Sequence, residues 1–91
     1  MVPLDKKSEQ EGSGRHHVEE RLLILHNDEI NTFDHVMHSL QEICLHDKVQ
    51  AEQCAILTHL KGHCEIKRGV LTQLEELQEQ LTSKALNVTI D

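Results

Sequence analysis

Asn27, Asp28 and Glu29 stand side by side between an apolar run and an amphipathic segment. An amide and two carboxylates at such a junction suit a cation. An ammonium group has three donors and no acceptor, and a carboxylate beside an amide oxygen satisfies it. On spacing alone, the same residues also fit a solvated acidic turn with Asn31 capping the helix that follows. The eight histidines raise a different possibility. His59 and His63 are i, i+4 partners, Cys64 follows, and His26 could approach from the apolar run. Structural zinc sites, however, normally show two closely spaced ligand pairs, and none stands here. His16, His17, His35, His38 and His46 read as arm or outer-face residues.

Nucleophilic chemistry has little support. No nucleophile motif surrounds any Cys or Ser, and Gly12, Gly14, Gly62 and Gly69 form no phosphate loop. Cys44, Cys54 and Cys64 are odd in number, and no secretory signal precedes them. They read as small buried residues of a reduced, intracellular protein. Neither an enzyme nor a cofactor is expected.

Residues 21–26 (RLLILH) are a short apolar run and predict a buried strand. Phe33, Val36, Met37, Leu40, Ile43 and Cys44 then recur at i, i+3, i+4, i+7, the period of a helix with one apolar face. Asp34, His35, His38, Ser39, Gln41 and Glu42 fall on its polar side. Asn31 is the expected N-cap, with Asp34 three residues later. A second helix is predicted over residues 49–60, burying Val49, Cys54, Ile56, Leu57 and Leu60, with Ala51 and Ala55 allowing close approach, and ending at Gly62 as a left-handed cap. Residues 63–68 alternate as a strand, Val70, Leu74, Leu77 and Leu81 mark a third helix, and residues 86–90 alternate again. The order β-α-α-β-α-β predicts an α/β (α+β) sandwich, a small three-stranded antiparallel sheet packed against three helices.

Composition narrows the function. Residues 1–20 carry almost no large apolar side chains and predict a disordered arm, leaving residues 21–91 as one domain. The formal charge of −7, from 16 acidic and 9 basic residues, argues against a nucleic-acid partner, which needs a clustered positive face. Phe33 is the sole aromatic residue, so bases find no stacking platform. No apolar run approaches a membrane span.

Two stretches carry a resemblance. LLILHNDEINTFDHVMHSL resembles the signature of the ClpS adaptors, a strand followed by Asn-Asp-(Asp/Glu) and a turn into the first helix. AEQCAILTHLKG is similar to the family's second helix with its His-x-x-Gly end, here His59-Leu60-Lys61-Gly62. The likeness spans residues 21–91, and an arm ahead of the domain is also a family feature. It implies a monomeric cytoplasmic adaptor that holds proteins beginning with Leu, Phe, Tyr or Trp. Delivery would be to a ClpA- or ClpC-class unfoldase coupled to ClpP. By the resemblance, Asn27, Asp28 and His59 hold the α-amino group, and Val36, Ala55 and Thr58 line the side-chain pocket with Phe33 at its rim. Glu29 replaces the family's usual second Asp, and Asn31-Thr32-Phe33 replaces Thr-Pro-Met. Ala55 stands where Met is common. A metal-binding domain, or a ribosomal-stalk-like domain sharing this fold, is the alternative reading; the Asn27-Asp28 and His59 set distinguishes the adaptor from the latter.

Overall fold

The computed structural model describes residues 19–91. Of the predicted arm, residues 1–18 lie outside that range. The elements are β1 (Arg21–His26), α1 (Phe33–Ile43), α2 (Lys48–Lys61), β2 (His63–Gly69), α3 (Leu71–Ser83) and β3 (Asn87–Ile90), in the predicted order β-α-α-β-α-β. The most apolar strand, β1, lies at the centre of the sheet, with β2 and β3 antiparallel on either side. Register follows from which side chains need cover. Leu25 pairs with Cys64 on one side and Val88 on the other, and all three are buried. A one-residue slip would turn that whole row to the opposite face. Leu40, Cys44, Cys54, Leu74 and Leu81 join the same core from the helices.

The second helix departs from expectation. Its buried face is Ala51, Cys54, Ala55 and Thr58, at i, i+3, i+4, i+7. Val49 and Leu60, expected inside, are 61% and 73% exposed, and Ile56 and Leu57 also face outward. Both faces of α2 have an apolar stripe, so periodicity could not choose between them. Small side chains let the α2 backbone come close to α1 and the sheet, and a face of Val, Ile and Leu would hold it away.

The caps follow local donors. Thr32, not Asn31, caps α1, its Oγ1 accepting from the His35 N–H at 3.1 Å. The Asn31 amide is engaged elsewhere, as described below. Asp47 caps α2 by accepting from Gln50 N–H at 2.7 Å. Gly62 ends it at φ 93°, donating to the Thr58 carbonyl, as predicted.

Two residues expected on the outer surface are buried. Ser39 donates its hydroxyl to the His35 carbonyl. His46 lies 6% exposed with Nε2 2.8 Å from the carbonyl of Ile66. A carbonyl only accepts, so Nε2 carries the proton. The pairing has a cause in the sheet: the β1–β2 register shifts between Leu23 and Ile24, leaving Ile66 without a partner on β1. His46 fills that gap in the ladder.

Leu45 and Ala85 hold left-handed backbone, at φ 58° and 67°. That conformation costs an L-residue roughly 1–2 kcal/mol. Leu45 is 82% exposed and has little packing to lose. Leu45→Gly is expected to raise stability by about 0.5–1 kcal/mol after the entropy of glycine is charged against it. Denaturant unfolding checks this, and a midpoint that fails to rise refutes it. Leu40→Ala, at a position with no exposed surface, is expected to cost about 2–5 kcal/mol in the same measurement.

Candidate functional site

The site begins where β1 stops. The Asn27 N–H donates to the Gly62 carbonyl at 2.9 Å, fastening the end of β1 to the C-terminus of α2. His59 lies just under one turn before Gly62, so this bond sets the spacing between Asn27-Asp28 and the imidazole.

Asp28 then closes the turn with its own side chain. Oδ1 accepts from the N–H groups of Ile30 and Asn31, each at 2.9 Å. Oδ2 accepts from Asn31 Nδ2, also at 2.9 Å. The Asn31 backbone N–H chiefly, with the Asn31 amide, the Ile30 N–H and the nearby His35, holds the carboxyl below its ordinary value of 3.8 against the opposing effect of desolvation. Asp28 is therefore a firmly ionised carboxylate. Three of its roughly four lone-pair directions are used by the turn, and one on Oδ2 remains.

A pocket of about 100 Å³ opens beside it. Its polar lining comes from Asn27, Asp28, Asn31 and His59, with His26 from the end of β1. Its apolar lining comes from Leu25, Val36, Ala55, Leu86 and Thr58. The Thr58 hydroxyl donates to the Cys54 carbonyl at 2.8 Å, so its proton is not free for a ligand. Phe33, 43% exposed, stands at the mouth. Asn27, Asp28, Asn31, Phe33, Val36, Ala55, Thr58 and His59, eight of the nine residues singled out from sequence, thus converge on one cavity. Glu29 is exposed and lies outside the lining.

Leu25, His26 and Leu86 were not foreseen there. Leu25 sits in a segment that reads as a strand, and His26 at its end was weighed only as a metal ligand. Leu86 is buried and opens the last alternating segment, far along the chain from Asp28. Nothing local marks it as a pocket wall, because only the sheet brings β3 beside β1. His26 Nε2 is meanwhile 2.6 Å from Thr89 Oγ1, which ties the two strands at this end.

The other chemistry weighed from sequence is not assembled here. Cys64 is buried in the core rather than in the pocket, and among the described residues no group of three or more His, Cys, Asp and Glu could hold a metal ion. Burial pushes the Cys44 thiol up to about 11. Burial, with Cys64 alongside, pushes Cys54 higher still. Thiols held protonated in this way are poor nucleophiles. What the pocket can do is accept a small cation that carries an apolar group.

Comparison with known proteins places this geometry. Residues 17–89 match the family described as ATP-dependent Clp protease adaptor protein ClpS. The search of curated proteins gives no match. Among solved structures, Agrobacterium tumefaciens ClpS2 bound to L-phenylalaninamide superposes with a TM-score of 0.72 at 15% identity. The alignment covers 82% of this chain and 98% of that one. At that identity the structural likeness speaks for the fold, while the family match extends over most of the sequence. The strand–turn–helix carrying Asn27 and Asp28 and the helix end carrying His59 both fall inside the matched span, and the chain belongs to the ClpS family of Clp protease adaptors.

Proposed function

We propose that this adaptor holds the free N-terminus of a substrate protein and passes it to an ATP-driven unfoldase. The observation that carries the reading is an ionised carboxylate, Asp28, lining the same cavity as an apolar wall. An α-ammonium must shed water to enter, so it needs charge and acceptors already in place. Asp28 supplies the charge, Asn27 its side-chain carbonyl, and His59 a ring-nitrogen lone pair. Val36, Ala55, Thr58 and Leu86 receive the first side chain, with Phe33 over the opening. Burying a Leu or Phe side chain contributes about 1.5–3 kcal/mol. Neither part is strong alone, so a free and bulky first residue is selected over internal sequence. The fold relative named above was solved with phenylalanine amide, a molecule with a free α-amino group beside an aromatic side chain.

Under this reading the bound termini are Leu, Phe, Tyr or Trp, and the receiving machine is a ClpA- or ClpC-class unfoldase coupled to ClpP. The adaptor acts as a cytoplasmic monomer and catalyses nothing itself. Residues 1–20 serve delivery rather than binding. Their removal is expected to leave peptide affinity unchanged and to slow degradation of a tagged substrate by the unfoldase; normal delivery by the truncated protein refutes that role.

The central test is a titration of Leu- and Phe-first peptides, free or N-acetylated, against wild type and Asp28→Asn. Removing either charge is expected to cost about 2–5 kcal/mol. The two losses should be non-additive, because they delete the same interaction. A variant that still separates free from acetylated peptide as well as wild type does removes Asp28 from the site. Asp28→Ala is the poorer probe, since it also strips three hydrogen bonds from the turn.

The pH dependence has a definite sign. A carboxyl whose folded pKa is depressed contributes stability that is fully present above its unfolded value. That contribution is lost as pH falls through the folded value. Asp28 should therefore keep its charge, and its share of peptide affinity, throughout the range above 3.8. Chemical-shift titration of the Asp28 carboxyl checks this, and a midpoint at or above the ordinary aspartate value overturns it.

A further inference from the structure

We propose that Asn31 is a positioning residue, its side-chain amide spanning from the Ala85 carbonyl to the Asp28 carboxylate so that the turn after α3 aims the charge of the pocket. The inference rests on the function proposed above and adds to it a part for a residue that need not touch the substrate.

Asn31 Nδ2 lies 2.9 Å from Asp28 Oδ2 and 2.8 Å from the Ala85 carbonyl oxygen. Both neighbours are acceptors only, so the amide orientation is decided: an oxygen in that place would face two oxygens. Both Nδ2 hydrogens are then spent, and Asn31 has no side-chain donor left for a ligand. Its engagement also accounts for Thr32, rather than Asn31, capping α1.

The far end of the span is built with care. The Leu86 N–H donates to the Leu81 carbonyl at 3.1 Å and the Ala85 N–H to that of Thr82 at 2.9 Å. This pair closes α3 with a left-handed residue, a place usually taken by glycine. Here it is Ala85, at φ 67°. The closure leaves the Ala85 carbonyl to Asn31, the Lys84 carbonyl to His35 Nε2 at 2.7 Å, and Leu86 as a pocket wall. One turn thus holds the residue that orients Asp28, a residue of α1 in His35, and part of the apolar lining. Its position couples the ammonium site to the side-chain pocket. The other titratable groups around Asp28 are His35 of α1, His26 of β1, His59 of α2 and the adjoining Glu29.

Asn31→Asp separates positioning from direct contact. It keeps an acceptor oxygen, adds negative charge near the pocket and deletes both donors. If Asn31 acted by touching the ammonium, this variant would bind free N-terminal peptides as well as wild type or better. Positioning requires the reverse: Asn31→Asp and Asn31→Ala each weaken binding of a Leu-first peptide by about tenfold or more, as for loss of one charge-assisted hydrogen bond. In the ligand-free protein, the carboxyl titration of Asp28 should also move upward in both variants. A defect of folding alone would not place that change at Asp28. Asn31→Ser, a smaller residue that keeps one donor, gives an intermediate titration and serves if either variant is unstable. An Asp28 titration identical in wild type and all Asn31 variants overturns the inference, as does wild-type affinity in Asn31→Asp. If the titration moves but wild type fails to distinguish free from acetylated peptide, the positioning stands and the proposed function falls.

Discussion

The three hydrogen bonds accepted by the Asp28 carboxylate organise the passage from β1 to α1. They close the turn ahead of Thr32, which caps α1, and they keep the carboxyl ionised. The group that shapes the site is therefore also its charge. A carboxylate fixed by neutral donors keeps its full negative charge, because N–H dipoles stabilise it without neutralising it. A lysine or arginine in the same place would have closed the turn and cancelled the field a ligand could use. The design leaves one acceptor direction open beside an apolar wall, a small opening that suits a compact ammonium better than a broad guanidinium fork.

Close approach of α2 is the second constraint. Ala51, Cys54, Ala55 and Thr58 form a face of small residues, and the helix settles against α1 and the sheet. Ala55 and Thr58 serve packing and pocket at once, which links the volume of the cavity to the spacing of the helices. The Asn27 N–H bond to the Gly62 carbonyl then fixes how far along α2 the turn sits. Larger side chains on this face would move the helix outward and carry His59 with it. The cost of the arrangement is visible on the opposite face, where Val49, Ile56, Leu57 and Leu60 face outward.

Irregular features occur at two helix ends and at one interruption of the sheet. Ala85 and Leu45 accept left-handed backbone at the ends of helices, and His46 repairs the gap left by the shifted register at Ile66. The Ala85 strain is tied to the pocket through the carbonyl it hands to Asn31. That at Leu45 has no such link, and a residue 82% exposed there gains little from its side chain. Strain retained beside a site and strain retained far from it are different observations, and only the first suggests a function.

Much of this molecule was legible without coordinates, because local rules governed it. The apolar run of β1, the helical period from Phe33 to Cys44, the Gly62 cap and the alternation of β2 and β3 each follow from nearest-neighbour chemistry. So does the pairing of Asn27 with Asp28 at a strand end. Decisions between two locally acceptable answers were not legible. Asn31 and Thr32 are both good caps, and the choice fell to Thr32 because the Asp28 carboxylate and the Ala85 carbonyl, from the turn after α3, engaged Asn31. Both faces of α2 are apolar, and the smaller one turned inward because the space between α1 and the sheet admits no more. Leu86 became a pocket wall, and His46 a buried partner of Ile66, only through neighbours distant in the chain. Sequence by itself determined the elements, their order and most of the residues that line the pocket. Tertiary structure alone decided which face, which cap and which distant wall, because those depend on volumes and acceptors supplied from elsewhere in the fold.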